Sequence, residues 1–436
     1  MNDTSKLSPD ASPLRIANFR AYWLSRLSMT LAQYAMMLII GWQTYNLARD
    51  GGMGVGAASG QLALIGLLQF IPLFLLTPFS GWAADHFDRR NIARLTVLAQ
   101  LGCAGTLAWF TWNETLTVTV LFSVAIVLGI VRAFNGPALS ALAPNLVPKA
   151  ILPNAIALSS IAWQVGMIVG PAIGGYTYAI LPALPYITAF ALFAVSLAAL
   201  SFIGKVPQPA RAANRRPVHQ MVEGLRYVVR NKMVLGAITL DLFAVFLAGA
   251  TALFPVYARD ILEVGETGLA QLAMAPAVGA ALTALWFSFR PLKTNVGPKM
   301  LWAVAVFGLA TVVFGLSKTM PLSLAMLFII GAADMFSVYI RQSLIQLHTP
   351  DDKRGRVSSV SLLTISASNE FGDFFSGSLA FLFGPVIAVV GGGVGAIAMV
   401  ALWSRIFPVL RTTRTFDPPD ELLDTPPEEK LQEQMP

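Results

Sequence analysis

Residues 205–232 read KVPQPARAANRRPVHQMVEGLRYVVRNK, the longest polar interruption between apolar runs in a chain of 436 residues. Apolar stretches lie on both sides of it, six before and six after, so this segment reads as a linker between two halves. Within it Val218, Met221, Val222, Leu225 and Val229 recur at helical spacing. His219, Glu223, Arg226 and Arg230 take the other side. That pattern predicts a short amphipathic helix lying on a membrane surface; a solvated basic loop is the alternative.

Working outward, the chain is 56% hydrophobic and only 12% charged, with a mean hydropathy of +0.65. A soluble domain of this length does not need so apolar a composition. A bilayer core roughly 30 Å thick takes about 20 apolar residues per helix. Twelve such stretches are expected near residues 20–47, 59–83, 91–112, 116–143, 153–180, 184–204, 233–257, 267–289, 299–317, 320–346, 357–382 and 384–407. Helices are the choice because backbone amides in lipid must be satisfied within the segment, and strict alternation of the barrel kind is missing. The expected fold class is therefore an all-α integral membrane protein of 12 transmembrane helices in two six-helix bundles, with both termini cytoplasmic. Its parts are a cytoplasmic N-terminal segment (1–18), a first half (19–204), the linker (205–232), a second half (233–410) and an acidic cytoplasmic tail (411–436).

The net charge of +7 does not call for a nucleic-acid partner. With the termini inside, Arg49, Arg259 and Lys318 fall on outside loops and Arg26, Arg132 and Arg341 in or at the edge of spans, which leaves 24 of the 30 basic residues facing the cytoplasm. That asymmetry is the positive-inside rule. No cleavable signal is read at the N-terminus, and the single Cys103 in the third span cannot form an internal disulfide.

The two halves match each other at an offset of 202. Gly129 aligns with Gly331, Phe134 with Phe336, Pro148 with Pro350, Gly170 with Gly372 and Gly175 with Gly377. Duplicated parallel repeats with a site between them near the midplane are the build of a rocking transporter.

Two short motifs add a family. Gly81-Trp82-Ala83-Ala84-Asp85-His86-Phe87-Asp88-Arg89-Arg90 resembles the G-x-x-x-D-R/K-x-G-R/K-R/K signature of the major facilitator superfamily, with His86 in place of a strong base and Asp88 in place of glycine. Gly166-Met-Ile-Val-Gly170-Pro171-Ala-Ile-Gly174-Gly175 fits the fifth-helix pattern G-x-x-x-G-P-x-x-G-G of its antiporters. Asp241-Leu-Phe, Phe254-Pro-Val-Tyr257, Gly331-Ala-Ala-Asp334 and the turn from Thr349 to Val357 look like the enterobactin-exporter-like efflux branch. The resemblance implies the major facilitator fold, with the first, fourth, seventh and tenth helices lining a central cavity. In the family the Asp85 turn stabilises the outward-open state, and Asp85, Arg89 and Arg90 are the positions carried over.

The residues themselves support a role for that turn. A carboxylate at the end of the second span can accept hydrogen bonds from amides that begin a neighbouring helix, and Arg354-Gly355-Arg356 before the eleventh span offers amides and cations. Gly81, Asp85, Asp88, Arg89, Arg90 and Arg356 are thus the candidates for a cytoplasmic latch; ordinary loop charges anchoring topology are the alternative. In the fifth helix, Gly166, Gly170, Gly174 and Gly175 allow close backbone approach and Pro171 frees a carbonyl, which describes either a gate or static close packing.

Charged residues inside spans are costly and mark function or a partner. Arg26 and Asp241 lie about 10 to 13 Å from the cytoplasmic face, and Arg132 and Asp334 about 15 to 20 Å. Arg132 and Asp334 are equivalent at the offset of 202, so they are expected to form a cross-cavity pair, moving or static, with Arg26 near it. Asp241 lacks a companion nearby in sequence and is the first candidate for proton coupling, ahead of Glu370, Asp334 and Asp373. Tyr34, Gln164, Phe336 and Asn369 are candidates for the substrate cavity, with Trp163 beside them.

No Walker sequence is present, and Gly51 to Gly56 lies in an outside loop, the wrong context for a dinucleotide. His86, His219 and His348 lack ligand spacing, and no catalytic serine or cysteine set assembles on one face, so neither a metal, a cofactor nor an enzyme is expected. The reading is a monomeric secondary transporter of the inner membrane. It is expected to export a siderophore-like or drug-like amphiphile with a proton gradient as its energy source, with an importer, a facilitator or a non-transporting receptor as the alternatives.

Overall fold

The computed structural model describes residues 12–204 and 217–416. The first half comprises α1 (Ala17–Asp50), α2 (Val55–His86), α3 (Arg89–Trp112), α4 (Val118–Leu142), α5 (Leu152–Ile180) and α6 (Leu184–Phe202). A linker helix α7 (Pro217–Arg230) follows, then α8 (Lys232–Leu247), α9 (Gly265–Phe289), α10 (Val296–Leu316), α11 (Met320–Leu347), α12 (Asp351–Phe383) and α13 (Pro385–Ile406). No strand occurs among the described residues.

Local chemistry sets the helix ends. Asn231 caps α8 by accepting from the amides of Met233 and Val234 at 3.1 Å each, which satisfies two donors that the helix start leaves open. Between α12 and α13 the turn is a single residue, Gly384 at φ 89°, a left-handed conformation that only glycine adopts freely, and Pro385 starts the next helix with its φ already set. The seventh crossing departs from the continuous span expected over 233–257. It stops at Leu247 and resumes as short irregular turns through Ile261. Gly249 and Pro255 lie in the break, one weakening the helix and the other lacking an amide to continue it.

Ten helical segments are long and apolar enough to cross a membrane among the described residues. Helices α1 and α12 are equally long but more polar, since α1 carries Arg20, Arg26, Gln33, Gln43 and Asn46 and α12 begins with a charged turn and holds Asn369, Glu370 and Asp373. The expected twelve crossings therefore depend on these two. Both are flanked by helices that qualify, α1 by α5 and α6, and α12 by α2 and α8.

The repeat is visible in the packing. In the first half α2 packs on α4, α3 on α4 and α6, and α1 on α5 and α6; in the second, α9 packs on α11, α10 on α11 and α13, and α8 on α12 and α13. The offset of 202 carries α4 onto 320–344 and α6 onto 386–404, within a few residues of α11 and α13. Tyrosines are buried where their hydroxyls find partners: Tyr186 donates to Gln43 at 2.6 Å and Tyr257 to the Gly315 carbonyl at 2.9 Å. Large apolar side chains such as Ile180, Phe202 and Phe289 point outward, as a bilayer environment requires.

Candidate transport and coupling site

Two seams join the halves, α5 against α9 and α2 against α12. Each depends on a glycine, and the two glycines are equivalent at the offset of 202. A Cβ at Gly175 would lie 2.5 Å from the Cβ of Ala270, and one at Gly377 would lie 2.7 Å from that of Ala63. Nothing larger fits without moving one half from the other. The remaining glycines of the α5 pattern pack against α1 instead: Gly166 on Thr30, Gly170 on Tyr34 and Gly174 on Ala35, with Pro171 buried beside them. Only Gly175 of that motif touches the other half in this way.

Near the middle of the molecule Gln164 reaches from α5 to the Ala277 carbonyl of α9 at 3.5 Å. Phe70 of α2 meets Phe371 of α12 at 5.5 Å between ring centroids, and Phe371 stacks on Phe246 of α8 at 5.4 Å. Phe375 closes the group against Phe246 at 4.5 Å. This aromatic cluster was not read from the sequence, because its members are scattered over three helices and look like ordinary lipid-facing residues there.

On the face opposite α7, called here the far face, the halves are tied by charge. Arg49 pairs with Asp260 at 2.8 Å, and Arg259 pairs with Asp50 at 2.6 Å. Tyr45 also donates to Asp260, and Arg259 donates to the Asn46 side chain at 2.6 Å. The arrangement is reciprocal because the same triplet, Ala-Arg-Asp, ends α1 at residues 48–50 and recurs at 258–260. The broken seventh crossing shifts the second copy to an offset of 210, so a gap-free comparison at 202 passes over it. In the sequence Arg49 and Arg259 read only as charges on outside loops. Seams and lock together close the far face in this structure.

Of the expected latch on the linker face, Asp88, Arg90 and Arg356 can be followed to their partners. Asp88 caps α3, accepting from the Arg90 amide at 3.0 Å, and pairs with the Arg90 guanidinium at 2.6 Å. That guanidinium holds the Asp88 carboxyl below the usual carboxylate range. Arg90 also donates to the Ile203 carbonyl at 3.1 Å, so both residues serve the first half. Arg356 pairs with Glu223 of α7 at 2.9 Å. Arg89 is half-buried at the start of α3, and the side chains of Gly81's neighbour Trp82, of Asp85 and of Arg354 lie outside the described residues.

The buried charges form a different group from the one expected. Asp241 of α8 and Arg341 of α11 are in direct ion-pair contact, with side chains 9% and 3% exposed. Asp334, two turns before Arg341 on α11, has Asp241 and Arg341 as its charged neighbours. Asp241, Asp334 and Ser337 line one crevice of about 10 Å³ between α8, α10 and α11, room for a single water. The cross-cavity pair of Arg132 with Asp334 is thus not formed in this state. Arg132 instead approaches Gln69 of α2 at 3.5 Å. Arg26 stays within the first half, donating to the Ser159 carbonyl at 3.3 Å and to the Tyr22 hydroxyl at 3.4 Å. In the sequence Arg341 reads as a residue in or at the edge of a span, and Asp241 has no opposite charge nearby. A search for an opposite charge at matching depth, counting α11 back from its linker-face end, would have joined them.

Other candidates disperse. Asp373 accepts from Thr251 at 3.2 Å, and the Glu370 side chain is outside the described residues. Phe336 packs edge-on against Phe287 at 5.0 Å, inside the second half. Asn369 is exposed, and Tyr34 lies against Gly170. Among the described residues no group of His, Cys, Asp or Glu could hold a metal ion.

With this geometry established, comparison with known proteins gives the family. The sequence pattern of the transmembrane secretion effectors, a branch of the major facilitator superfamily, matches residues 8–434. The chain belongs to that family. It is 27% identical over 367 residues to the multidrug efflux pump Tap of Mycobacterium tuberculosis, covering 79% of this chain and 86% of that one. It is 24% identical over 416 residues to the enterobactin exporter EntS of Escherichia coli, covering 92% and 94%. In fold it is similar to a bacterial homologue of the human lysosomal transporter Spinster solved in an inward-facing, occupied conformation, with TM-score 0.67 and 16% identity over 92% of this chain and 99% of that one. A D-xylose–proton symporter gives TM-score 0.69 at 12% identity over 90% of this chain and 98% of that one. The protein is a multi-pass membrane transporter of the major facilitator type, and not an enzyme.

Proposed function

We propose that this transporter is a proton-coupled exporter of a small amphiphilic compound, siderophore-like or drug-like, in the bacterial inner membrane with α7 on the cytoplasmic side. The observation that carries the coupling is the buried group of Asp241, Arg341 and Asp334. One guanidinium neutralises one carboxylate, and the second carboxylate needs a proton or another cation to be tolerated at that depth. The aromatic cluster of Phe70, Phe246, Phe371 and Phe375 supports an apolar cargo, and relatives named as a multidrug pump and an enterobactin exporter support outward transport.

In this reading the far face is closed while cargo enters from the cytoplasm. Opening it separates Arg49 from Asp260, Arg259 from Asp50 and the glycine seams at Gly175 and Gly377. A proton taken from outside onto the Asp334 and Asp241 pair changes its charge by one, which alters how tightly α8 is held to α11 through Arg341. Its release inside resets the cycle. The test uses purified protein in proteoliposomes with an imposed pH gradient and a fluorescent amphiphile. Export predicts cargo movement opposite to the proton. Movement with the proton identifies an importer, movement indifferent to it a facilitator, and binding without movement a receptor.

A further inference from the structure

A cleft of about 560 Å³ lies away from the transport path, between α7 and the first turns of α12. Among the described residues Arg226, Arg230, Lys353 and Arg356 line it together with one carboxylate, Glu223, which is paired with Arg356. Arg226 and Arg230 are exposed and make no ion pair among the described residues. The walls are built to stay in place. Gly224 lets the α7 backbone approach the Arg356 carbonyl, where a Cβ would sit 2.8 Å away. Tyr227 wedges between the helices, its hydroxyl donating to the His348 carbonyl at 2.8 Å and its ring lying 5.3 Å from the Lys353 ammonium.

The same helix carries an uncovered apolar stripe. Val222, Leu225 and Val229 are 43%, 51% and 56% exposed, and their spacing puts them on one side of α7 with Arg226 and Arg230 about 100° further round. Helix α7 rests on α12, α8 and α2, all of them membrane helices, so the stripe lies at the level where headgroups meet acyl chains. We propose that the cleft binds the headgroup of an anionic phospholipid from the leaflet on the linker face, with its acyl chains along Val222, Leu225 and Val229. A free phosphate would satisfy the cations and leave the stripe bare. Basic pockets at this depth favour phosphate headgroups through charge as well as hydrogen bonding. The site is independent of the direction of transport.

Native mass spectrometry of the full-length protein released from detergent containing equal phosphatidylglycerol and phosphatidylcholine tests it. The expected result is at least fivefold preferential retention of one phosphatidylglycerol, falling to parity in the Arg226→Gln, Arg230→Gln double variant while its melting temperature is unchanged. Lys353→Gln gives a second measure should that variant fold poorly, with retention lowered two- to threefold. Equal retention of both lipids by the wild type, or undiminished preference in the variants, overturns the proposal. Displacement of phosphatidylglycerol by millimolar inorganic phosphate would assign the cleft to a free anion. A large rise in retention on truncation after residue 416 would assign it to the tail.

Discussion

The far-face lock and the buried charge group are both made of arginine and aspartate, yet they differ in almost every physical respect. The lock is reciprocal, bridges the halves and sits in partial contact with water: Arg49 and Asp260 are 26% and 18% exposed, Arg259 and Asp50 29% and 66%. Such pairs contribute about 0.2–1 kcal/mol each and exchange readily for water. The buried group has no counterpart in the first half, lies within the second half, and is almost sealed. Breaking a buried pair by removing one partner costs about 3–5 kcal/mol. Duplication therefore supplied a weak symmetric clasp that a rocking motion can open. The strong charge coupling, by contrast, is carried by one copy alone.

The sharpest way to break this contrast is Arg341→Ala. It leaves Asp241 and Asp334 facing each other without a cation, and a stability loss of about 3–5 kcal/mol is expected, read as a lower melting temperature in detergent together with loss of transport. Arg341→Ala combined with Asp241→Asn removes both members and regains most of that loss. An Arg341→Ala protein that melts like the wild type would show that the pair does not carry the buried charge. Next in size is Asp334→Asn, which removes the surplus carboxylate while keeping its shape. The variant folds, and cargo movement driven by a pH gradient falls at least tenfold while exchange of cargo without a gradient persists.

Most of the architecture was legible in the sequence because length and hydropathy are local. The all-helical membrane fold, the linker helix and the equivalence of Gly175 with Gly377 follow from composition and the offset of 202, whereas ten of the twelve expected spans qualify by length and hydropathy among the described residues. The site was less legible, since burial and pairing are decided between helices. Arg132 and Asp334 are equivalent by duplication, and equivalence was read as mutual contact. The packing instead gives Asp334 a neighbour on α8 of its own half. The lock escaped for a related reason: the break near Gly249 and Pro255 moves the second Ala-Arg-Asp triplet out of register, and its pairing depends on α1 and the seventh crossing meeting at the far face. The cap at Asp88 shows the opposite error. A charge at a span end was assigned a long-range partner when the amide two residues away already satisfied it.

Smaller effects separate the seams from ordinary packing. Gly175→Val places a branched side chain where even a Cβ would collide with Ala270, so the far-closed arrangement is disfavoured and transport falls several-fold. Gly391→Ala on α13, where a Cβ meets nothing within 4 Å, leaves transport unchanged. A spin-label pair introduced by Met53→Cys and Lys318→Cys, both exposed on the far face, reads the state directly, because the one native cysteine, Cys103, is buried. Gly175→Val shifts the distance distribution to longer values, and Gly391→Ala does not.

The same label pair tests the lock, where the smallest change is expected. At about 0.2–1 kcal/mol per pair, Arg49→Ala should raise the far-open population by no more than about fivefold, and high salt should mimic part of the effect by screening the half-exposed charges. Asp260→Arg alone should open the far face further, because it then faces Arg49 with a like charge. The decisive variant joins Asp260→Arg to Arg49→Asp. If the attraction between these two positions holds the halves together, the exchange of signs restores the closed distance even though Arg259 and Asp50 are untouched. If instead Tyr45 and its hydrogen bond to residue 260 carry the closure, the swapped protein stays as open as Asp260→Arg. Tyr45→Phe would then reproduce that opening on its own, and the charges would count only as topology.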